Sequence, residues 1–262
     1  HAAEDIERLR STWDVPTLAL LGIGNGAQVA LAYAGSHPNK VSRLVLDSPL
    51  PLGIAAEAAM EQRVKGEQAA LDAWAAQCVA TNCPLAPDPK GAIDSLLAAA
   101  RSGSGPGGAS VATVADAIST ALAYPRGDRV NSGNDLAAAV AAARSGNANE
   151  MTNLITAAET LRQTDGQFVN GCSDSLNRPT PDRVRELVVA WPKLYPQFGA
   201  VGALSLVKCL NWPSGSAPQD RKRAMWQGIG HGATIYSACA LPPVIGYLDS
   251  GNLPATDTFC PA

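Results

Sequence analysis

One stretch near the start of the chain, residues 16–36, constrains the fold more than any other. It begins with an apolar run from Leu18 to Leu21, which predicts a buried strand, and the turn Gly-Ile-Gly-Asn-Gly (22–26) follows. A helix of small residues is then expected over 27–35. A strand, a sharp glycine-rich turn and a helix are the context of a nucleophile elbow, whose pattern is Gly-x-Ser-x-Gly. In that pattern the two outer glycines let strand and helix approach closely, and the central residue carries the nucleophile.

The tip of this turn is a glycine. Gly22 and Gly26 occupy the outer positions of the pattern, and Gly24 stands where the serine belongs. Glycine has no side chain, so it cannot form an acyl-enzyme. The alternative of a dinucleotide-binding loop is weaker. That motif is Gly-x-Gly-x-x-Gly, and the third glycine here does not have this spacing.

The surrounding sequence predicts a mixed architecture. Apolar residues over 40–47 indicate a second buried strand, and a short return after the first helix implies a parallel βαβ unit. Strand signals then give way to alanine-rich helical stretches, predicted over 55–78, 91–101, 111–123, 135–144, 150–161 and 181–191. Towards the end, a short strand is expected over 223–227 and a helix over 233–248, kinked or split at Pro242-Pro243. We expect one helical insertion, or lid, on an α/β core, divided as 1–52, 53–197 and 198–262.

Charge and cysteine content narrow the class of protein. The 262 residues carry a net charge of −3, which gives no reason to expect nucleic acid as a partner. No His, Cys, Asp and Glu cluster has metal-ligand spacing, so neither a metal nor another cofactor is expected. An even number of scattered cysteines favours disulfides and an extracytoplasmic location. Fifteen pairings are open, and nearest neighbours in sequence give Cys78–Cys83, Cys172–Cys209 and Cys239–Cys260.

Several stretches together resemble one family. They are Ala-Glu-Asp-Ile-Glu-Arg-Leu-Arg (3–10), Leu-Ala-Tyr-Ala-Gly-Ser-His-Pro (31–38), Val-Ser-Arg-Leu-Val-Leu-Asp (41–47), Cys-Leu-Asn-Trp-Pro (209–213), Gly-His-Gly (230–232) and Tyr-Leu-Asp-Ser-Gly-Asn-Leu-Pro (247–254). In this order they are similar to secreted actinobacterial α/β-hydrolases of the tripeptidyl-aminopeptidase type. The resemblance implies a parallel-rich sheet, a helical lid and a Ser-Asp-His triad acting on peptides or small esters.

The resemblance assigns roles to three positions. Gly24 falls at the nucleophile, Asn25 supplies a backbone N–H to the oxyanion hole, and His231 is the general base. The triad aspartate is not evident, because Asp220 lies only 11 positions before His231 and no apolar strand precedes it. We therefore expect a missing segment near Pro218 and Gln219. The first strands of the family fold are also expected to be missing before His1, and a missing N-terminal half is a candidate partner.

Two explanations of Gly24 stay open at this point. A serine replaced by glycine would silence a secreted peptidase-type serine hydrolase. A natural glycine would make the chain a pseudoenzyme, which keeps the pocket for binding. The competing class is a cell-envelope binding or interaction protein that uses the same fold without chemistry. No apolar run of 18 residues predicts a transmembrane segment, and no signal peptide is evident at His1.

Overall fold

The structure, a computed structural model, describes residues 2–49, 54–123, 132–161, 169, 171–173, 175–213 and 241–252. The chain divides into two compact units, one formed by His1–Leu52 with Asp220–Ala262 and the other by Gly53–Gln219. The expected boundary between the helical insertion and the last core segment, at 197 and 198, stays a prediction.

Two strands and ten α-helices lie in the described parts of the chain. In chain order they are α1 Ala2–Thr12, β1 Leu18–Ile23, α2 Asn25–Ser36, β2 Val41–Asp47, α3 Ala56–Ala80, α4 Pro89–Arg101, α5 Val111–Ala123, α6 Ser132–Arg144, α7 Asn149–Leu161, α8 Pro181–Ala190, α9 Gly199–Ser205 and α10 Leu241–Ser250. Short 3₁₀ turns include Pro38–Lys40, between α2 and β2, and Leu206–Cys209, directly after α9.

The parallel βαβ unit is confirmed. Strands β1 and β2 pair in parallel, with Ala19 opposite Arg43 and Ile23 opposite Asp47, and α2 packs against both. A parallel pair needs a crossover, and α2 followed by the 3₁₀ turn provides it within the sequence between the strands. The carboxyl ends of both strands therefore meet at one edge of the sheet.

The expectation that both strands are buried is wrong. Leu21 of β1 remains 42% exposed, and along β2 only Asp47 is buried. A continuous apolar run is buried on both sides only when both faces of a sheet are covered. Among the described residues, the helix that makes extensive contacts with β1 is α2, and it covers one face.

Helix α1 attaches to α2 through charged and polar side chains. None of its residues is buried, whereas Tyr33 of α2 is fully buried and donates a hydrogen bond of 2.7 Å to Oε2 of Glu7. Arg10 donates to the same carboxylate at 2.7 Å. The hydrogen bond from Arg10, followed by that from Tyr33, lowers the pKa of Glu7 to about 2. At the end of α2, Nε2 of His37 lies 3.5 Å from Oε1 of Glu4.

Helix α10 joins the first unit through Arg43 of β2. The guanidinium of Arg43 donates to the backbone carbonyls of Leu248 and Asp249, in the last turn of α10. These carbonyls lack intrahelical partners and carry the negative end of the helix dipole, so a cation is stabilising there. The expected helix over 233–248 is observed from Leu241, with both prolines in its first turn, where they remove no helical hydrogen bond. Its first part, and the strand expected over 223–227, lie outside the described residues.

The second unit is helical, as the alanine-rich sequence predicts. Six predicted helices are present as α3 to α8, with ends within three residues of those expected. Their apolar faces form one core, whose fully buried side chains include Leu71, Ile93, Leu97 and Ile118. Helix α9 was not predicted, because its sequence Gly-Ala-Val-Gly-Ala-Leu-Ser has two glycines, which are weak helix formers. Tertiary packing fixes it, since Gly202 lies against Val64.

Two disulfides lie in the part of the chain that the structure describes. They join Cys78 to Cys83 and Cys172 to Cys209, which are two of the three pairs that sequence neighbours give. The Cys172–Cys209 bridge is reinforced by Arg178, whose guanidinium donates to the backbone carbonyl of Cys172 at 2.6 Å. Cys239 and Cys260 lie outside the described residues, so their pairing stays a prediction.

Candidate active site

Gly24 lies at the tip of the sharp turn between β1 and α2. Its φ of 55° and ψ of −118° fall outside the conformations that residues with side chains adopt freely. Two backbone hydrogen bonds hold the tip. The N–H of Gly24 donates to the backbone carbonyl of Asp47 at 2.9 Å, and the carbonyl of Gly24 accepts from the N–H of Ala27 at 3.0 Å. The turn is thus strained for any residue but glycine, and it lies at the carboxyl edge of the sheet.

The two outer glycines of the turn, Gly22 and Gly26, have different surroundings. A Cβ on Gly22 would lie 2.6 Å from Cα of Ala27 and 2.7 Å from the carbonyl oxygen of Gly26, so only glycine fits between strand and helix. A Cβ on Gly26 would meet nothing within 4 Å. The expectation that both outer glycines allow close approach is therefore confirmed for Gly22 and wrong for Gly26. Gly26 lies in the first turn of α2, where a side chain would point into open space although its carbonyl oxygen lies close to Gly22.

Asn25 is the first residue of α2, directly after the tip. The first N–H groups of a helix have no intrahelical acceptor, and the helix dipole makes this end positive. The N–H of Asn25 is therefore one of the donors that a helix start offers beside Gly24. A developing negative charge on a carbonyl oxygen is stabilised by donors of this kind.

Two polar residues beside the tip were not identified as site residues from the sequence. Asp47 ends β2 and is only 6% exposed, and its Oδ1 accepts a hydrogen bond of 2.8 Å from the hydroxyl of Ser48. Ser48 has a φ of 51°, in the region that favours glycine. The sequence signal that could have identified Asp47 is a carboxylate at the end of a predicted strand. Its burial, however, depends on tertiary packing and is not visible in the sequence.

The other predicted residues of the triad remain untested. His231 and Asp220 lie outside the described residues, so the base and the doubtful acid of the triad stay predictions. Within the described ranges, no group of three His, Cys, Asp or Glu side chains is arranged to hold a metal ion. None of the helices in those ranges is both long and apolar enough to cross a membrane.

A parallel strand–turn–helix–strand unit with a strained tip at the sheet edge defines a class, the α/β proteins built around a nucleophile elbow. Comparison with known protein families agrees with this class. The family described as alpha/beta hydrolase fold matches residues 1–125, and the family described as TAP-like protein matches residues 219–260. Together the two matches support an α/β-hydrolase of the TAP-like family.

Curated relatives agree with this assignment over a shorter stretch. The chain is 32% identical over 96 residues to the serine protease Hip1 of Mycobacterium tuberculosis, and equally to that of Mycobacterium bovis. The aligned stretch covers 36% of this chain and 18% of each relative. The chain therefore matches under a fifth of the length of these relatives.

Proposed function

We propose that the chain is a secreted or cell-envelope serine-hydrolase scaffold of the peptidase type whose nucleophile position is held by Gly24. The observation that carries this proposal is the backbone of Gly24, which adopts φ 55° and ψ −118° at the turn between β1 and α2. An elbow of this kind presents its central side chain at the sheet edge, and here that side chain is absent. The chain as given cannot form an acyl-enzyme through this position.

The remaining parts of the mechanism follow from the family. With a serine at position 24, its hydroxyl would attack the carbonyl of a peptide or small ester, and His231 would take the proton. The N–H of Asn25 would hold the oxyanion, which is usually the largest single contribution to such catalysis. The two disulfides support an oxidising, extracytoplasmic location. A tripeptidyl-aminopeptidase activity of the native protein would require both the serine and an aspartate to complete the triad.

A noncatalytic binding protein is the second candidate. Its support is that glycine suits the tip without strain, whereas serine there would cost about 1–3 kcal/mol of stability. In a protein that no longer needs a nucleophile, a glycine at this position therefore increases stability. In this case the elbow would persist as scaffold, and the pocket would bind a peptide or small ester ligand without cleaving it.

A serine at position 24 tests whether the site can still activate a hydroxyl, as the hydrolase scaffold requires and the binding protein does not. The Gly24→Ser variant is incubated with a fluorophosphonate probe, which modifies activated serines, and its intact mass and labelled peptide are measured. Gly24→Ala controls for strain without a hydroxyl, and Gly26→Ser places a hydroxyl in open space two residues away. We expect labelling of Gly24→Ser alone. A folded but unreactive Gly24→Ser would show that this chain does not activate a serine at position 24, as expected of the binding protein and of a hydrolase without its triad aspartate. Labelling of the unmodified chain would refute the assignment of Gly24.

A further inference from the structure

An apolar groove lies in the second unit, between α8 and the segment formed by α9 and the following 3₁₀ turn. Its volume is about 350 Å³, within the range of sites that bind small molecules. The residues that line it recur every three or four positions on each side, as expected for two helical faces that oppose each other. They are Pro181, Val184, Arg185, Val188, Leu204, Val207 and Leu210.

The groove has a buried floor and exposed walls. Val184 is only 3% exposed, whereas Leu204 is 51% and Val207 is 46% exposed. Large apolar side chains that are exposed singly are normal, but here they line one concave surface. A ligand that covers these walls would remove apolar surface from water, which is favourable in proportion to the area covered.

One charged residue lies along the groove. Of the described residues that line it, Arg185 alone is charged, and its position on α8 places it one turn from Pro181. Its present ion pair is with Asp182, and both side chains are largely exposed, at 74% and 84%. Exposed ion pairs contribute little, so the guanidinium can exchange Asp182 for a ligand carboxylate at small cost.

The length and volume of the groove favour a linear ligand. Pro181 and Val188 are seven residues apart on one helix face, which gives the groove a length of about 10 Å. Its volume of about 350 Å³ is near the lower end of the range for ligand sites, which favours a small ligand. A single alkyl chain is narrow enough to lie along this length.

We propose that this groove binds an unbranched medium-chain carboxylate. The alkyl chain lies along Val184, Leu204 and Val207, and the carboxylate accepts hydrogen bonds from Arg185. Charge-assisted bonds between a guanidinium and a carboxylate are among the stronger ones, and they fix the orientation of the ligand. Every residue that lines the groove belongs to the second unit, whereas Gly24 belongs to the first.

The test is a titration of the full chain with sodium hexanoate, octanoate and decanoate, followed by NMR and calorimetry. We expect saturable binding whose affinity rises about fourfold for each added methylene until the groove is filled. Arg185→Gln should weaken octanoate about tenfold and leave octan-1-ol unchanged. Asp182→Asn should strengthen octanoate binding, since it removes the competing carboxylate.

Two exposed leucines provide a matched pair of variants. Leu204→Glu places a charge in the groove wall and should abolish octanoate binding, whereas Leu194→Glu alters another exposed leucine, which does not line the groove. Equal effects of both variants, or binding that never saturates, would overturn the proposal. It would also be overturned if the unmodified chain self-associates and Leu204→Glu alone prevents this, because a second copy would then cover the groove.

Discussion

Replacing Gly22 by alanine tests whether β1 and α2 can approach so closely only because residue 22 has no side chain. The added Cβ would lie 2.6 Å from Cα of Ala27, where ordinary contacts begin at 3.4 Å, so the helix start must retreat by about 0.8 Å. The obstacle is backbone, which cannot rotate away as a flexible side chain can. Overpacking of this kind costs about 1–3 kcal/mol, and we expect that loss in the free energy of unfolding.

Gly26→Ala is the matched control four residues later. Its Cβ meets nothing within 4 Å, and the residue lies inside α2, where alanine is about 0.5–1 kcal/mol more favourable than glycine. The two substitutions add the same methyl group, yet they should change stability in opposite directions. The close approach at Gly22 is the physical difference between them.

Urea unfolding followed by far-ultraviolet circular dichroism measures both variants against the unmodified chain. Hydrogen exchange of the amides in the first turns of α2 adds a local readout, since retreat of the helix start should speed their exchange in Gly22→Ala only. If Gly22→Ala unfolds within about 0.5 kcal/mol of the unmodified chain, the reasoning from close approach is refuted, because that is the range of neutral surface substitutions.

Two further predictions concern charge and covalent links. Glu7 has a pKa of about 2, below its ordinary value of 4.5, so its stabilising contribution is complete above pH 4.5 and is lost as the pH falls towards 2. Glu7→Gln should flatten the loss of unfolding free energy over that range, and an unchanged pH profile would contradict the role of the hydrogen bonds from Arg10 and Tyr33. Replacing Cys172 and Cys209 together by alanine opens a link across 37 positions and should cost about 4 kcal/mol in urea unfolding, whereas a loss under about 1 kcal/mol would contradict it.

The features that sequence alone predicted are those set by local pattern. Apolar runs, a glycine-rich turn and small residues gave the βαβ unit, because the crossover from β1 to β2 is short and its handedness is restricted. Alanine-rich stretches gave α3 to α8 with accurate ends, since helix formation depends mainly on neighbouring residues. The absence of a side chain at Gly24 is likewise visible in the sequence, and it limits the chemistry whatever the rest of the fold does.

The features that sequence missed depend on residues far apart in the chain. Helix α9 forms against Val64 despite its glycines, and the groove beside it requires α8 and α9 to face each other. Burial of Asp47 beside the tip, and the different surroundings of Gly22 and Gly26, are equally products of packing. A sequence pattern records which residues prefer the interior, but only the tertiary structure decides which surfaces are covered and what distance separates them, because packing is set by the shape of every neighbour at once.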